Sequence, residues 1–221
     1  MGEAKPPWDS TMADIRVITI DREYGSGAGD IAAQLAKRLG WKLWDQRLTD
    51  EIARRLDCER RAVEEREEHR DPVMYRLFKS FLRGSFEGTV NAPRLGMVDA
   101  DCVREVTQTL VKEVAEIGNC VIVGRGGAYY LGDRRDAFHV FIYGLFDDKV
   151  RRIQVTGKTA EEAIALIEQV DVDRSSFIQQ YFQVDWPERQ RFHLMVNSSM
   201  GEQVAVEIIL DAVTRLTRHR A

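Results

Sequence analysis

The sequence predicts an α/β domain of three layers, α/β/α, with about five parallel strands between two layers of helices. Three observations predict it. Short runs rich in β-branched and apolar residues, at 15–21, 120–123 and 137–143, alternate with segments whose apolar residues recur at helical spacing. Cys120-Val121-Ile122-Val123 is apolar throughout, as expected of a strand buried on both faces. Two of the runs end in glycine-rich turns, Gly25-Ser26-Gly27-Ala28-Gly29 and Gly124-Arg125-Gly126-Gly127. At 221 residues the chain is long enough for one such domain carrying an insertion.

Taken in order, residues 1–13, with paired prolines and polar residues, read as a flexible tail. Ile15 to Asp21 is the first strand. Ile31, Leu35 and Leu39 then mark a helix that Gly40 stops. Trp41 to Trp44 reads as a second strand ending at Asp45, and Leu48, Ile52 and Leu56 mark the next helix. The Arg- and Glu-rich stretch 59–71 reads as a solvated helix surface. Met74, Leu77, Phe78, Phe81 and Leu82 share one helical face, which suits either core or a contact in a homo-oligomer. Residues 84–96 are loop-like. A helix from about Ala100 to Ile117 carries the stripe Val103, Val106, Leu110, Val114 and Ile117. The strand at 120–123 follows, then one at 137–143, a helix from about Thr159 to Phe182, a fifth strand from Phe192 to Val196, and a last helix carrying Val204, Ile208, Ala212 and Leu216.

A formal charge of −4 gives no reason to expect nucleic acid as a partner. Cys58, Cys102 and Cys120 are scattered and odd in number, which argues against a disulfide framework or a zinc site. No apolar run reaches bilayer length and no signal-peptide core is present at the N-terminus, so the expectation is a cytoplasmic protein without a membrane partner. His69, His139, His193 and His219 lack metal-ligand spacing and are read as non-catalytic.

Strand, glycine turn and helix in succession form an anion cradle, because the chain can turn tightly, aim N–H groups inward and add the helix's positive end. In a parallel sheet, ligands collect where the strands end. Those ends carry Asp45, Arg125, the segment through Arg151 and Arg152, and Asn197. Arginine suits phosphate through its planar donor fork. One of Arg151 and Arg152 should face solvent, and the spacing does not say which. Asp171 and Arg174 stand three apart on one helical face, which by itself suits a simple ion pair.

Together, Ile18-Thr19-Ile20-Asp21-Arg22-Glu23-Tyr24-Gly25-Ser26-Gly27, Trp44-Asp45, Val121-Ile122-Val123-Gly124-Arg125-Gly126, Val150-Arg151-Arg152, Asp171-Val172-Asp173-Arg174 and Val196-Asn197-Ser198-Ser199 resemble the cytidylate kinase-like family of P-loop proteins, relatives of the bacterial (d)CMP kinases. The resemblance runs from Ile15 to Leu216. It implies a P-loop NTPase fold in a single domain at 14–221, with a helical, monophosphate-binding insertion at 59–98 and a lid region at 147–190. It also implies ATP and Mg²⁺. Gly25, Ser26, Gly27, Ala28, Gly29, Asp30 and Ile31 would wrap the ATP phosphate. Arg22, Arg125, Arg151 and Arg174 would be the catalytic arginines, and Asp45, Arg125 and Asp171 would line the substrate pocket.

The chain departs from true cytidylate kinases at three places. Asp30 stands where their loop lysine belongs, Ala32 where their magnesium-holding hydroxyl belongs, and Gly126 where their Gly-Arg-Asp element has its aspartate. Arg22 is then the candidate substitute for the lysine, and Asp21 or Asp30 the candidate magnesium ligand. Three readings stay open: a kinase for a nucleoside monophosphate, with CMP or dCMP suggested; a nucleotide-binding sensor without turnover; and a kinase for another small phosphate acceptor.

Overall fold

A computed structural model describes residues 14–63 and 100–218, with the backbone alone at 57–63, 100 and 218. The expected tail at 1–13, the apolar face at 72–83 and the loop at 84–96 lie outside the described residues, as does most of the insertion. Five parallel strands form one sheet: β1 (Val17–Arg22), β2 (Lys42–Trp44), β3 (Cys120–Val123), β4 (Ala137–Tyr143) and β5 (Leu194–Asn197), in the order β2-β3-β1-β4-β5. The chain leaves β1 toward one edge and later returns to lay β4 on its other side. The carboxyl ends of β1, β3 and β4 therefore open onto a common crevice, the place where such sheets hold ligands.

Side-chain alternation along the strands sorts the core into two layers. Val17 and Ile122 face α2 (Gln46–Val63), α3 (Ala100–Ile117) and α6 (Ala160–Phe182), packing with Leu48, Ile52, Val103, Leu110 and Phe177. Ile18, Ile20, Val121 and Val123 face α1 (Ala28–Leu39) and α7 (Glu202–Arg218), packing with Ile31, Leu35, Val206 and Ile209. Each fully buried aliphatic side chain contributes about 2 kcal/mol by leaving water. The remaining helices are short: α4 (Gly127–Tyr130) and α5 (Phe146–Gln154). Among the described residues no helix is long and apolar enough to cross a membrane.

Two expected stripes are corrected. In α7 the buried positions are Ala205, Val206, Ile209 and Val213, whereas Val204 and Leu216 are exposed. Both phases of this helix are apolar, and contact with α1 selects the one that begins with the small Ala205. Ile117 is also exposed, because α3 ends there and turns away through Gly118. Start points differ by a residue or two at β1 and β5. Thr159 and Glu162 form a reciprocal capping box that fixes the start of α6. His139 is buried mid-sheet, sharing a 2.7 Å hydrogen bond with Thr19 through Nδ1. Burial, with help from His193, pushes its pKa down to about 3, so it stays neutral.

Candidate functional site

β1 delivers the chain into the turn at Gly25–Ala28, which opens α1. Gly27 has φ of +72° and caps the helix. Its positive φ favours glycine, and a Cβ there would lie 2.9 Å from Arg152 Nε and displace that side chain. Ser26 Oγ donates to the Glu23 carbonyl (2.8 Å), closing the turn. Gly25, Ser26, Gly27, Ala28, Gly29 and Ile31 are buried, while Asp30 is exposed in the first turn of α1. The Asp30 carboxylate thus has water to screen it.

At the strand ends three guanidinium groups are buried together. Arg125 lies between Gly124 and Gly126, and all three residues adopt left-handed φ (+64°, +56°, +67°). For a non-glycine residue that conformation costs about 1 kcal/mol. It turns the fully buried side chain inward, where Nη2 donates to Thr49 Oγ1 and Nη1 lies 3.5 Å from Asp45 Oδ1. Arg22 packs against Gly124 so closely that a Cβ there would force its guanidinium group to move. Arg174, from α6, donates to the Arg22 carbonyl (2.9 Å) and lies 3.3 Å from Asp171 Oδ1. Burial first, then the charges of Arg174 and Arg125, lower the Arg22 pKa to about 9. Burial likewise lowers that of Arg125, with Asp45 opposing. Burial raises the Asp171 pKa, against the pull of Arg174, the Tyr24 N–H and Lys149.

A second set of charges comes from α5. Arg152 Nη1 donates to the Gly25 carbonyl (2.9 Å), and its Nε lies 3.7 Å from Glu202 Oε1. Lys149 donates to Glu23 Oε2 (2.9 Å) and lies 3.8 Å from Asp171 Oδ2. Asp171 Oδ1 also accepts from the Tyr24 N–H (2.8 Å), which ties α6 to the entry of the turn.

The structure thus brings together Arg22, Arg125, Arg174, Asp45 and Asp171 beside the glycine turn. It sets Arg151 apart: that side chain is 69% exposed and paired with Asp148 on its own helix. The arginine of this segment that touches the turn is Arg152. Arg22 does not lie over the turn either; the side chains nearest Gly25 and Gly27 are Lys149, Ile153, Arg152 and Glu202. Sequence reasoning missed Lys149, Thr49 and Trp186. Lys149 is four residues before the buried Ile153, hence on the inward face of α5, and Thr49 is four after Asp45; both spacings were readable. Trp186 Nε1 donates to Asp21 Oδ2 (3.1 Å), a contact no local pattern announces.

Asp21 Oδ1 accepts from the Arg22 N–H (2.9 Å). It is a single carboxylate at the end of β1, the kind of donor that suits a Mg²⁺ ion carried mainly by phosphate oxygens. Among the described residues no three His, Cys, Asp or Glu side chains group as a metal cage. An open groove between α2 and α3, lined by Trp44, Arg47, Glu51, Arg55, Glu113 and Ile117, shares no residue with this site. Within it Arg55 is paired with Glu51 and Glu113.

Among solved structures, an uncharacterized protein from Eubacterium ventriosum ATCC 27560 superposes with a TM-score of 0.65 at 19% identity, over 90% of this chain and 98% of that one. Shikimate kinase from Bacteroides thetaiotaomicron superposes with a TM-score of 0.50 at 17% identity, with the same coverage. At such identity these likenesses concern the fold, that of P-loop kinases. No curated protein matches the sequence. The model of the cytidylate kinase-like family matches residues 17–200, which include the glycine turn and all the arginines above, and the chain belongs to that family.

Proposed function

We propose that the chain transfers a phosphoryl group from ATP to a nucleoside monophosphate, with CMP or dCMP as the first acceptors to try. The observation that carries this reading is the buried cluster of Arg22, Arg125 and Arg174 beside the glycine turn. Three guanidinium groups held out of water repel one another, and a dianionic phosphate is the ligand that relieves them. Family membership supports a kinase activity of this general kind.

In this account, N–H groups of Gly25–Ile31 hold the donor phosphates at the N-terminus of α1. Arg125, braced by Asp45 and Thr49, grips the acceptor phosphate, and Arg22 fixes its far side. Arg174, oriented by Asp171, neutralises charge between donor and acceptor, and α5 with α6 serves as the lid over 147–190. An acceptor oxygen attacks the terminal phosphorus while the bridging P–O bond breaks, leaving ADP. Most of the catalysis is positioning and charge stabilisation. Mg²⁺, when bound beside Asp21, supplies further charge neutralisation. A cytoplasmic location accords with this chemistry.

Coupled ADP release with a panel of monophosphates tests the proposal. Turnover with at least one acceptor is expected. Flat traces for every acceptor, with ATP binding verified separately, would remove it. One observation favours a second reading, a nucleotide sensor without turnover: the turn carries no lysine, and Arg22 packs on Gly124 instead of over it. In that case nucleotide binds tightly and no ADP forms.

A further inference from the structure

We propose that Lys149 supplies the mobile cation the glycine turn lacks, exchanging Glu23 for the terminal phosphate of a bound nucleoside triphosphate. The inference rests on the phosphoryl-transfer reading above. Lys149 is the one lysine among the buried charged side chains of the described residues. Its Cβ stands 3.0 Å from the position a Cβ would take on Gly25, and Ile153, one helical turn on, packs against the same glycine. The stem therefore leaves α5 beside the turn itself. The other nearby cations are committed elsewhere: Arg22 lies against Gly124, and Arg152 is tied to the Gly25 carbonyl and Glu202.

The two carboxylates that hold Lys149 are unequal. Asp171 is the deeper and is fixed by the Tyr24 N–H and Arg174. Glu23 is more exposed, and its other partner is the Gly144 N–H at 3.4 Å. Glu23 can swing to water at little cost, whereas Asp171 cannot. A phosphate offers more charge and more acceptor oxygens than a carboxylate, so the ammonium group gains by the exchange. Asp171 keeps it aimed while it moves. A lysine on a neighbouring helix thus does from outside what a loop lysine does from within.

Calorimetric titration of the full chain with Mg·ATP and with Mg·ADP tests this in wild type, Lys149→Met, Lys149→Arg and Glu23→Gln. Wild type should prefer ATP. Lys149→Met should lose about tenfold in ATP affinity and little for ADP, so the preference collapses; Lys149→Arg should restore most of it. Glu23→Gln should tighten ATP by about threefold, because the competitor is gone. A lysine that only packs would leave the ATP/ADP ratio unchanged in Lys149→Met, and that result overturns the proposal. If Lys149→Met does not fold, the sign of the Glu23→Gln change decides: weaker ATP binding overturns it. A wild type that binds neither nucleotide defeats the phosphoryl-transfer reading itself, whereas ATP binding with an unchanged ratio defeats only the role of Lys149.

Discussion

The cations of the crevice come in two kinds. Arg22, Arg125 and Arg174 are buried and braced by strand ends, a left-handed turn and backbone carbonyls. Lys149 and Arg152 project from α5, and their carboxylate partners, Glu23 and Glu202, are partly exposed. The first group has lost its hydration and cannot relax, so it holds an anion in one geometry without reorganising. In the second, Lys149 can trade Glu23 for an entering ligand, while Arg152 stays tied to the Gly25 carbonyl and Glu202. The difference teaches that loss of the loop lysine need not mean loss of phosphate chemistry, because the charges are divided between a rigid wall and a movable one.

The sharpest way to break this comparison is Arg125→Ala. It removes the acceptor grip and leaves Asp45 buried without its guanidinium partner. The expected loss is about a thousandfold in kcat/KM, measured by coupled ADP release, together with about 3 kcal/mol of stability by denaturant unfolding. Arg125→Lys should not restore activity, since an ammonium group lacks the fork that reaches Thr49 and Asp45 together. Next comes Gly124→Ala, which adds a Cβ where Arg22 packs and strains a left-handed residue. It should cost about a hundredfold in kcat/KM with α1 and the glycine turn intact by amide exchange.

A smaller effect follows from pH. Arg22 has a folded pKa of about 9, well below the ordinary value of a guanidinium group. Between those values the native state binds fewer protons than the unfolded chain, so this group's contribution to stability rises with pH there, and its charge opposes folding at neutrality. An anion reverses the preference. Affinity for CMP, followed by calorimetry, should therefore fall about tenfold between pH 8 and pH 10. The smallest effect belongs to Arg151→Ala, which should change kcat/KM by no more than about twofold, as expected of an exposed ion pair. A large loss there would mean that α5 rotates on closing, and would merge the two kinds of cation.

Much of this was legible in the chain. The strands announce themselves by β-branched runs, and Arg125 by glycines on both sides, because both signals are local. The face of α5 was harder to read. Residues 147–152 hold three cations, and only the burial of Ile153 against Gly25 sets which of them turn inward. A phase of that kind depends on the packing of distant elements. The same holds for α7, where two apolar stripes compete and contact with α1 chooses between them, and for Trp186, whose contact with Asp21 spans most of the chain.

The most direct test of the central claim, that the buried arginines form the seat of a phosphate, is proton uptake on binding CMP at pH 9. It is read by calorimetry in buffers of different ionisation enthalpy. The phosphate is already a dianion there and has no proton to take up. Binding against Arg22 should raise that group's pKa and draw in about half a proton per site. Binding without proton uptake would contradict the account.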